Sequence, residues 1–593
     1  MIVAVDVQTA EDRQAERSRP RINALFLLAI VLMLGLRLVA LRSDAYAHLS
    51  HSTALLTDEG FYIHNARNLI LFGRTRTDDW NNMLVMPVLH GIQVVVFQLC
   101  GVGPIQARMI PVVMSSLTLL VFFFALRRVF GLSVAAWGTV LLGLDHVFLL
   151  YSRMALMDVP ATLPMVCAFA CFVWAEREQE RRAVSLLFAC GFCLLLAYAI
   201  RGLSAMLIPI PLLALANSSS RRTRALALCA GVATGLLLYA LLWYLPHRTE
   251  LTRMNRYYFT EQLVPRGWSG LQNNVMSALF GSHPLPGTYD YESGLAPYLF
   301  LHAPVQTLLA AACLIGWGLC FSGVPEQHRS ALKYLGGWTV IAWIAFAVTS
   351  YAPSRYYVLF YPPLSALAAY SIVHADALLP ALRRRPLLVS ILFGLLCYQI
   401  ADAILPLRTL ERSLVLVLLT AAGMAAGRFA LLRSNDRALP FLSQGLPALW
   451  VATNACWLLH WLATLTYWQQ DADRWLATHL PPDTVLLGDV SPGVCLSSRF
   501  RCVNVMPPLC NGQRPMEQFA SSPRAVVILD NVGSHHWKER WWIQRYPDAV
   551  ADENRLHRFM PILRPMFAVS VYFVPPDQGR DRREEGRGRK GVE

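Results

Sequence analysis

The sequence predicts a mainly α-helical protein that crosses a membrane many times and carries a small α/β domain towards its C-terminus. Three observations predict this. The 593-residue chain is 55% hydrophobic, with a mean hydropathy of +0.41, where soluble domains hold roughly 45–50% apolar residues. Apolar runs of roughly 17–22 residues recur along most of the chain, enough for a helix to span a bilayer. The net charge of +14 comes largely from arginines in short clusters between those runs, which marks cytoplasmic ends and argues against a nucleic-acid footprint.

The elements follow in chain order. Residues 1–21 form a cytoplasmic tail ending in a basic group, and the run at 22–41 lacks a small-residue cleavage site, so it is an anchored helix. A polar outer loop covers 42–83. Apolar segments near 84–101, 108–126 and 133–150 give one crossing too many for the charge pattern. The third is the suspect, because Asp145 and His146 interrupt it and a mid-span charge is costly. Further helices are expected at 159–175, 184–199, 203–216 and 224–243, then an outer loop at 246–298 rich in Tyr, Asn, Pro and Gly. The runs at 299–320, 334–350, 357–375, 387–404, 413–432 and 443–465 complete about 13 crossings. Every basic cluster after residue 150 then falls inside, and the chain from about 469 falls outside.

That last region, 469–576, reads as α/β, with a helix at 473–480 and strands at 484–488, 524–529 and 569–574. The charged segment 577–593 is a disordered tail. Ten of the thirteen cysteines lie in apolar spans, where Cys190 and Cys193 serve packing despite their redox-like spacing. Cys495, Cys502 and Cys510 lie in the exported domain, so one pair forms a disulfide and one thiol is left over. Only three lysines occur. Such arginine bias fits a GC-rich bacterial genome, so the expected location is a bacterial plasma membrane, with the N-terminus cytoplasmic and the C-terminal domain extracytoplasmic.

On this topology a set of charges shares the outer face. Asp58 and Glu59 lie in Thr57-Asp58-Glu59-Gly60-Phe61-Tyr62; Arg153 and Asp158 flank Met154-Ala155-Leu156-Met157; Arg201 interrupts an apolar stretch; Arg355 and Tyr356 precede another helix. Carboxylates supply a general base and arginines hold phosphate bidentately. Blander roles exist for each. Asp58 and Glu59 could cap a helix over 60–72, Arg153 and Asp158 could form a structural ion pair, Arg201 could snorkel, and Arg355 with Tyr356 could anchor the interface. His48, His51 and His64, like His283 and His302, are more plausibly ordinary polar residues than metal ligands.

The order of these features resembles the protein O-mannosyltransferase and aminoarabinose-transferase superfamily of GT-C glycosyltransferases. It rests on Asp58-Glu59 with Tyr62, Arg153 and Asp158, Arg201, and Ser354-Arg355-Tyr356 followed by Pro362-Pro363, with Arg108-Met-Ile-Pro111 and Pro87 as secondary matches. It covers roughly residues 20–375. The resemblance implies a GT-C transmembrane module over 22–375, with additional helices over 376–468. It also implies a polyprenyl-phosphate-linked sugar as donor and chemistry on the non-cytoplasmic face. Carried over residue by residue, Asp58 is the catalytic base, Glu59 and Asp158 support the site or acceptor, Arg201 and Arg355 with Arg153 hold the lipid phosphate, and Tyr62 and Tyr356 line the site. No cofactor is required; a divalent metal is compatible with the chemistry but not demanded by it. Aminoarabinose transferases typically carry Lys-Pro near where this chain reads Asn81-Asn-Met-Leu-Val-Met-Pro87, without lysine, and Arg201 stands where Lys is common. The acceptor is therefore open among protein, lipid and cell-wall glycan. A lipid or glycan transporter is the rival reading, but it favours charges through the mid-membrane and inverted repeats, whereas here the charges cluster at one face and no repeat is evident.

Overall fold

The computed structural model describes residues 26–50, 54–215, 221–257, 267–280, 295–318, 321, 323–349, 353–404, 418, 420–425, 441–507, 510–531, 537–560 and 567–576. The expected tails, His51, His283, much of the 246–298 loop and most of the 413–432 run lie outside them.

The chain opens with α1 (Phe26–Leu38). Next comes α2 (Ala54–Phe72), where the sequence suggested loop followed by helix. Asp58 and Glu59 therefore sit inside a helix, one turn from its start, and not at a cap. α3 (Pro87–Cys100) and α4 (Pro104–Phe130) each begin with proline, whose missing N–H costs nothing there. α4 ends at Gly131, whose φ of 87° is the left-handed stop that glycine accepts most readily.

α5 (Leu132–Gly143) and α6 (His146–Tyr151) divide the suspect third segment at Asp145. The Asp145 carboxylate accepts the N–H groups of Val147 and Phe148 and, at 2.8 Å, Gln306 Nε2. A charge placed mid-run thus breaks the helix and caps its continuation. α7 (Asp158–Ala175) and α8 (Glu180–Ile200) form an antiparallel pair, then a 3-10 turn leads to the short α9 (Ile210–Ala214). α10 (Arg221–Tyr239) packs on α8. A side chain at Gly191 or Gly231 would overlap the facing backbone, so these two helices touch main chain to main chain.

α11 (Arg248–Tyr257), α12 (Gly267–Phe280) and α13 (Leu295–His302) precede α14 (Pro304–Trp317), α15 (Glu326–Val348) and α16 (Tyr361–Val373). α17 (Ala375–Arg383), α18 (Pro386–Ile404) and α19 (Leu446–Ala463) follow. Among the described residues, seven helices are long and apolar enough to cross a membrane, and six apolar helices are shorter. The chain is a multi-pass membrane protein. α4, α7 and α8 each have one end near the Asp58 region and the other at a basic cluster.

The C-terminal part is a separate sheet on that end. α20 (Trp468–His479) leads into β1 (Val485–Leu487), α21 (Ser491–Val494), β2 (Arg501–Val503), α22 (Pro515–Gln518), β3 (Arg524–Asn531), α23 (Trp537–Arg545), β4 (Arg555–Phe559) and β5 (Phe567–Val574). The strand order is β2-β1-β3-β5-β4, parallel on the β2-β1-β3 side and antiparallel across β3-β5-β4. Alternate β3 residues feed two cores: Ala525, Val527 and Leu529 pack with Leu476 and Leu56, while Val526 and Ile528 pack with Trp542. Being covered on both faces explains its unbroken apolar sequence. Cys495 and Cys502 form a disulfide, and Cys510 is the buried thiol left over.

Candidate active site

α7 and α8 run antiparallel, so the first residue of one meets the residue just past the end of the other. Asp158 opens α7, where the helix dipole favours a carboxylate, and Arg201 follows α8, where it favours a cation. Arg201 Nε lies 3.0 Å from Asp158 Oδ1. Arg355 arrives on the 3-10 turn Ser354–Phe360, which Pro362 and Pro363 join to α16. Its Nη1 lies 2.9 Å from Asp58 Oδ2, and its Nε lies 4.0 Å from Asp158 Oδ2. Four charges from four elements thus form one chain: Asp58, Arg355, Asp158, Arg201. All four are buried, Asp158 to 1% exposure, so each depends on its neighbours for compensation.

Tyrosines close the cluster. The Tyr356 ring lies 3.7 Å from the Arg201 guanidinium carbon and 5.0 Å from that of Arg355, a cation–π contact with both. Tyr62, one turn after Asp58 on α2, is fully buried; burial pushes its phenol well up, with Arg355 and Arg201 opposing. Tyr62 is thus a neutral hydroxyl among charges.

Glu59 and Arg153 are placed differently. Glu59 accepts Arg108 Nε at 2.7 Å and Arg108 Nη2 at 2.5 Å, and its Oε1 also takes the Ala155 N–H at 2.8 Å. Arg108 Nη1 goes on to the Leu41 and Ser43 carbonyls. One bidentate pair therefore ties α2, α4, the turn before Asp158 and the chain leaving α1. Arg153 donates to the carbonyls of Val39 and Ala40 and lies 4.4 Å from the Trp461 ring. It holds the chain leaving α1.

α2 is polar yet buried because both flanks are covered. His64 Nε2 meets Asp78 at 3.2 Å, Asn65 donates to the Thr75 and Trp80 carbonyls, and Asn68 donates to Thr77. Arg67 crosses to the tail domain, donating to the Ser498 and Phe500 carbonyls at 2.6 and 2.9 Å. Burial lowers its guanidinium to about 10. Gly60 and Gly493 face each other across the same seam, with no room for a side chain at either. Asp78 and Asp79 continue it, taking the Asn504 and Asn511 N–H groups. Asp44 takes those of Trp468 and Gln469, at the start of α20.

No curated relative matches the chain by sequence. A family model described as dolichyl-phosphate-mannose-protein mannosyltransferase matches residues 95–245. The crystal structure of ArnT from Cupriavidus metallidurans bound to undecaprenyl phosphate is similar with a TM-score of 0.54 at 16% identity, over 92% of this chain and 98% of that one. Its apo form gives 0.54 at 17% identity, over 93% and 98%. This chain has the GT-C fold. The similarity to ArnT spans the tail domain as well as the transmembrane module, so the GT-C architecture accounts for nearly the whole length.

Within the GT-C fold the cluster has a definite chemical capacity. It pairs a carboxylate on a buried helix with two arginines that a second carboxylate aligns. Of the described residues, no group of three or more His, Cys, Asp or Glu is arranged to hold a metal. His64 is joined to Asp78, and His48 packs against Tyr46 and His460. His302 meets His146, whose Nε2 is 3.1 Å from its Nδ1. Sequence reasoning gave Arg108 no role. A charge just ahead of an apolar run was the available signal, but the partner lies 49 residues away.

Proposed function

We propose that this protein is a membrane glycosyltransferase that moves a sugar from a polyprenyl-phosphate donor to an acceptor hydroxyl, with inversion. The observation that carries the reading is the Asp58–Arg355–Asp158–Arg201 chain, every link within 4.0 Å. The ArnT to which the fold is similar is bound to undecaprenyl phosphate, which supports a lipid phosphate as the leaving group here.

In the proposed step the acceptor oxygen attacks the anomeric carbon as its proton passes to Asp58. The bond from that carbon to the phosphate oxygen breaks, and the electron pair leaves on the polyprenyl phosphate. The leaving group gains one negative charge as it departs. Arginines fixed beforehand stabilise that growing charge more than they stabilise the bound donor, which is what lowers a barrier. Asp158 keeps Arg201 and Arg355 in place, and the departing phosphate draws Arg355 from Asp58 as the base takes its proton. Tyr62 and Tyr356 border the sugar and the arginines. Glu59 and Arg153 act on position alone, fixing α2 and the chain leaving α1.

The donor keeps its tail in the bilayer while its phosphate reaches the outer rim, which supports an extracytoplasmic site in a bacterial plasma membrane. The test is a strain lacking the protein, complemented with the wild type or with Asp58→Asn. Lipid A, cell-wall glycans and glycoproteins are compared by mass spectrometry. A missing glycan with an accumulated polyprenyl-phosphate sugar is expected for both the empty strain and the variant. Normal glycans and no accumulated donor would sink the proposal.

A further inference from the structure

A groove of about 640 Å³ lies at the end of the bundle opposite the Asp58 cluster, bounded by Arg128, Trp174, Glu178, Arg181, Arg182 and Ser185. Its place follows from the topology. α4 runs from Arg108, at the site end, to Arg128 in its last turn. α7 runs from Asp158 to Trp174, and α8 returns from Arg181 and Arg182 in its first turn to Arg201 just beyond its end. At 1.5 Å per residue these helices separate the two ends by roughly 25–30 Å, about one hydrocarbon core. The groove therefore sits at headgroup depth on the opposite membrane face.

Three arginines and one glutamate line it. Glu178 lies 3.5 Å from Arg128 and 3.6 Å from Arg182, and both arginines remain substantially exposed. The net excess is two positive charges, and Trp174 adds an aromatic edge of the kind that favours the membrane interface.

The helix surface above the groove supplies the second half of the observation. On α4, Val113, Leu117, Leu120 and Phe124 are 44–53% exposed. Their spacing of four, three and four residues puts them on one face, and a further four residues reaches Arg128. On α8, exposed Phe188 stands one turn above Ser185, which stands one turn above Arg181. The apolar stripe on α4 runs straight into Arg128, with Phe188 of α8 above Arg181, which matches an acyl chain joined to a charged headgroup. A free anion uses the arginines but has no use for the stripe.

From this we infer that the groove binds the phosphodiester headgroup of an anionic glycerophospholipid, with its acyl chains along α4 and α8. The lipid joins the far ends of the three helices that carry Arg108, Asp158 and Arg201 at the other face.

The full chain is reconstituted in nanodiscs of phosphatidylcholine, with or without phosphatidylglycerol, and the lipids it retains are counted by native mass spectrometry. The wild type is expected to retain phosphatidylglycerol selectively and to melt at a higher temperature with it. Arg128→Gln/Arg181→Gln/Arg182→Gln should weaken retention by about 100-fold, since each interfacial arginine contributes on the order of 1 kcal/mol. Arg181→Gln alone, an exposed change, should weaken it by about fivefold and guards against a triple variant that fails to fold. Arg383→Gln/Arg384→Gln, in another basic cluster, should leave retention unchanged. Equal retention in the wild type and the Arg181 variant overturns the inference. So does stabilisation by inorganic phosphate equal to that by phosphatidylglycerol, which makes the groove a site for free anions.

Discussion

Asp58 and Asp158 are both buried carboxylates beside Arg355, but their surroundings divide their roles. Asp158 lies between two arginines at the start of a helix, held where it is. Asp58 meets Arg355 at 2.9 Å, which suits the proposed role of a base whose partner the leaving phosphate draws away. Asp58→Asn should therefore lower turnover by roughly 10²–10⁴-fold while leaving expression and donor binding in place; a purified-enzyme assay with a polyprenyl-phosphate sugar measures it. Arg355→Gln should cost about 10²–10³-fold in turnover, the range for losing one donor to a developing anion. Arg201→Lys keeps the charge but loses the fork that Asp158 aligns, so it should retain more activity than Arg201→Gln. The four charges of the cluster were legible in the sequence because Asp158, Arg201 and Arg355 interrupt or border apolar runs and Asp58 stands in an adjacent carboxylate pair. The Glu59–Arg108 pair was not, because it depends on the rotation of α2 against α4, which neither segment encodes alone.

At the level of elements, α2 decides how the site is held. Its polar composition suggested a loop, but both of its flanks are covered and its polar groups bond to neighbours, so the segment is a buried helix. The seam with the tail domain closes where Gly60 meets Pro492 and Gly493 meets Leu56. Gly60→Val should force that seam apart, costing about 1–3 kcal/mol of stability and lowering activity without touching a reacting group; a thermal melt in detergent measures the first. Arg67→Ala leaves the Ser498 and Phe500 carbonyls without their donor and should cost about 1–3 kcal/mol. β1, β3 and β5 were legible from short apolar runs. β2 is three residues long, and β4 is Arg-Leu-His-Arg-Phe at the sheet edge, where charged side chains suit a half-exposed strand but mask its pattern.

Considered as a whole, the molecule has two unlike ends. One gathers the Asp58 cluster, the loop after α2 and the tail sheet; the other gathers arginines. The basic clusters revealed this polarity in the sequence because charge bias between spans survives without tertiary information, while the seating of the tail sheet on α2 needed side-chain contacts between residues more than 400 positions apart. The Cys495–Cys502 disulfide gives the polarity a chemical test, since such bonds persist in oxidising compartments and not in the cytosol. If the tail domain lies outside, denaturation in a thiol-blocking reagent without reductant should label one tail cysteine, Cys510, and prior reduction should expose all three. In a host whose outer compartment cannot oxidise thiols, all three should be labelled from the start. Peptide mass spectrometry counts the labels. Three labelled cysteines in the normal host would place the sheet, and with it the Asp58 cluster, on the reducing side, where a donor presented at the outer rim could not reach it.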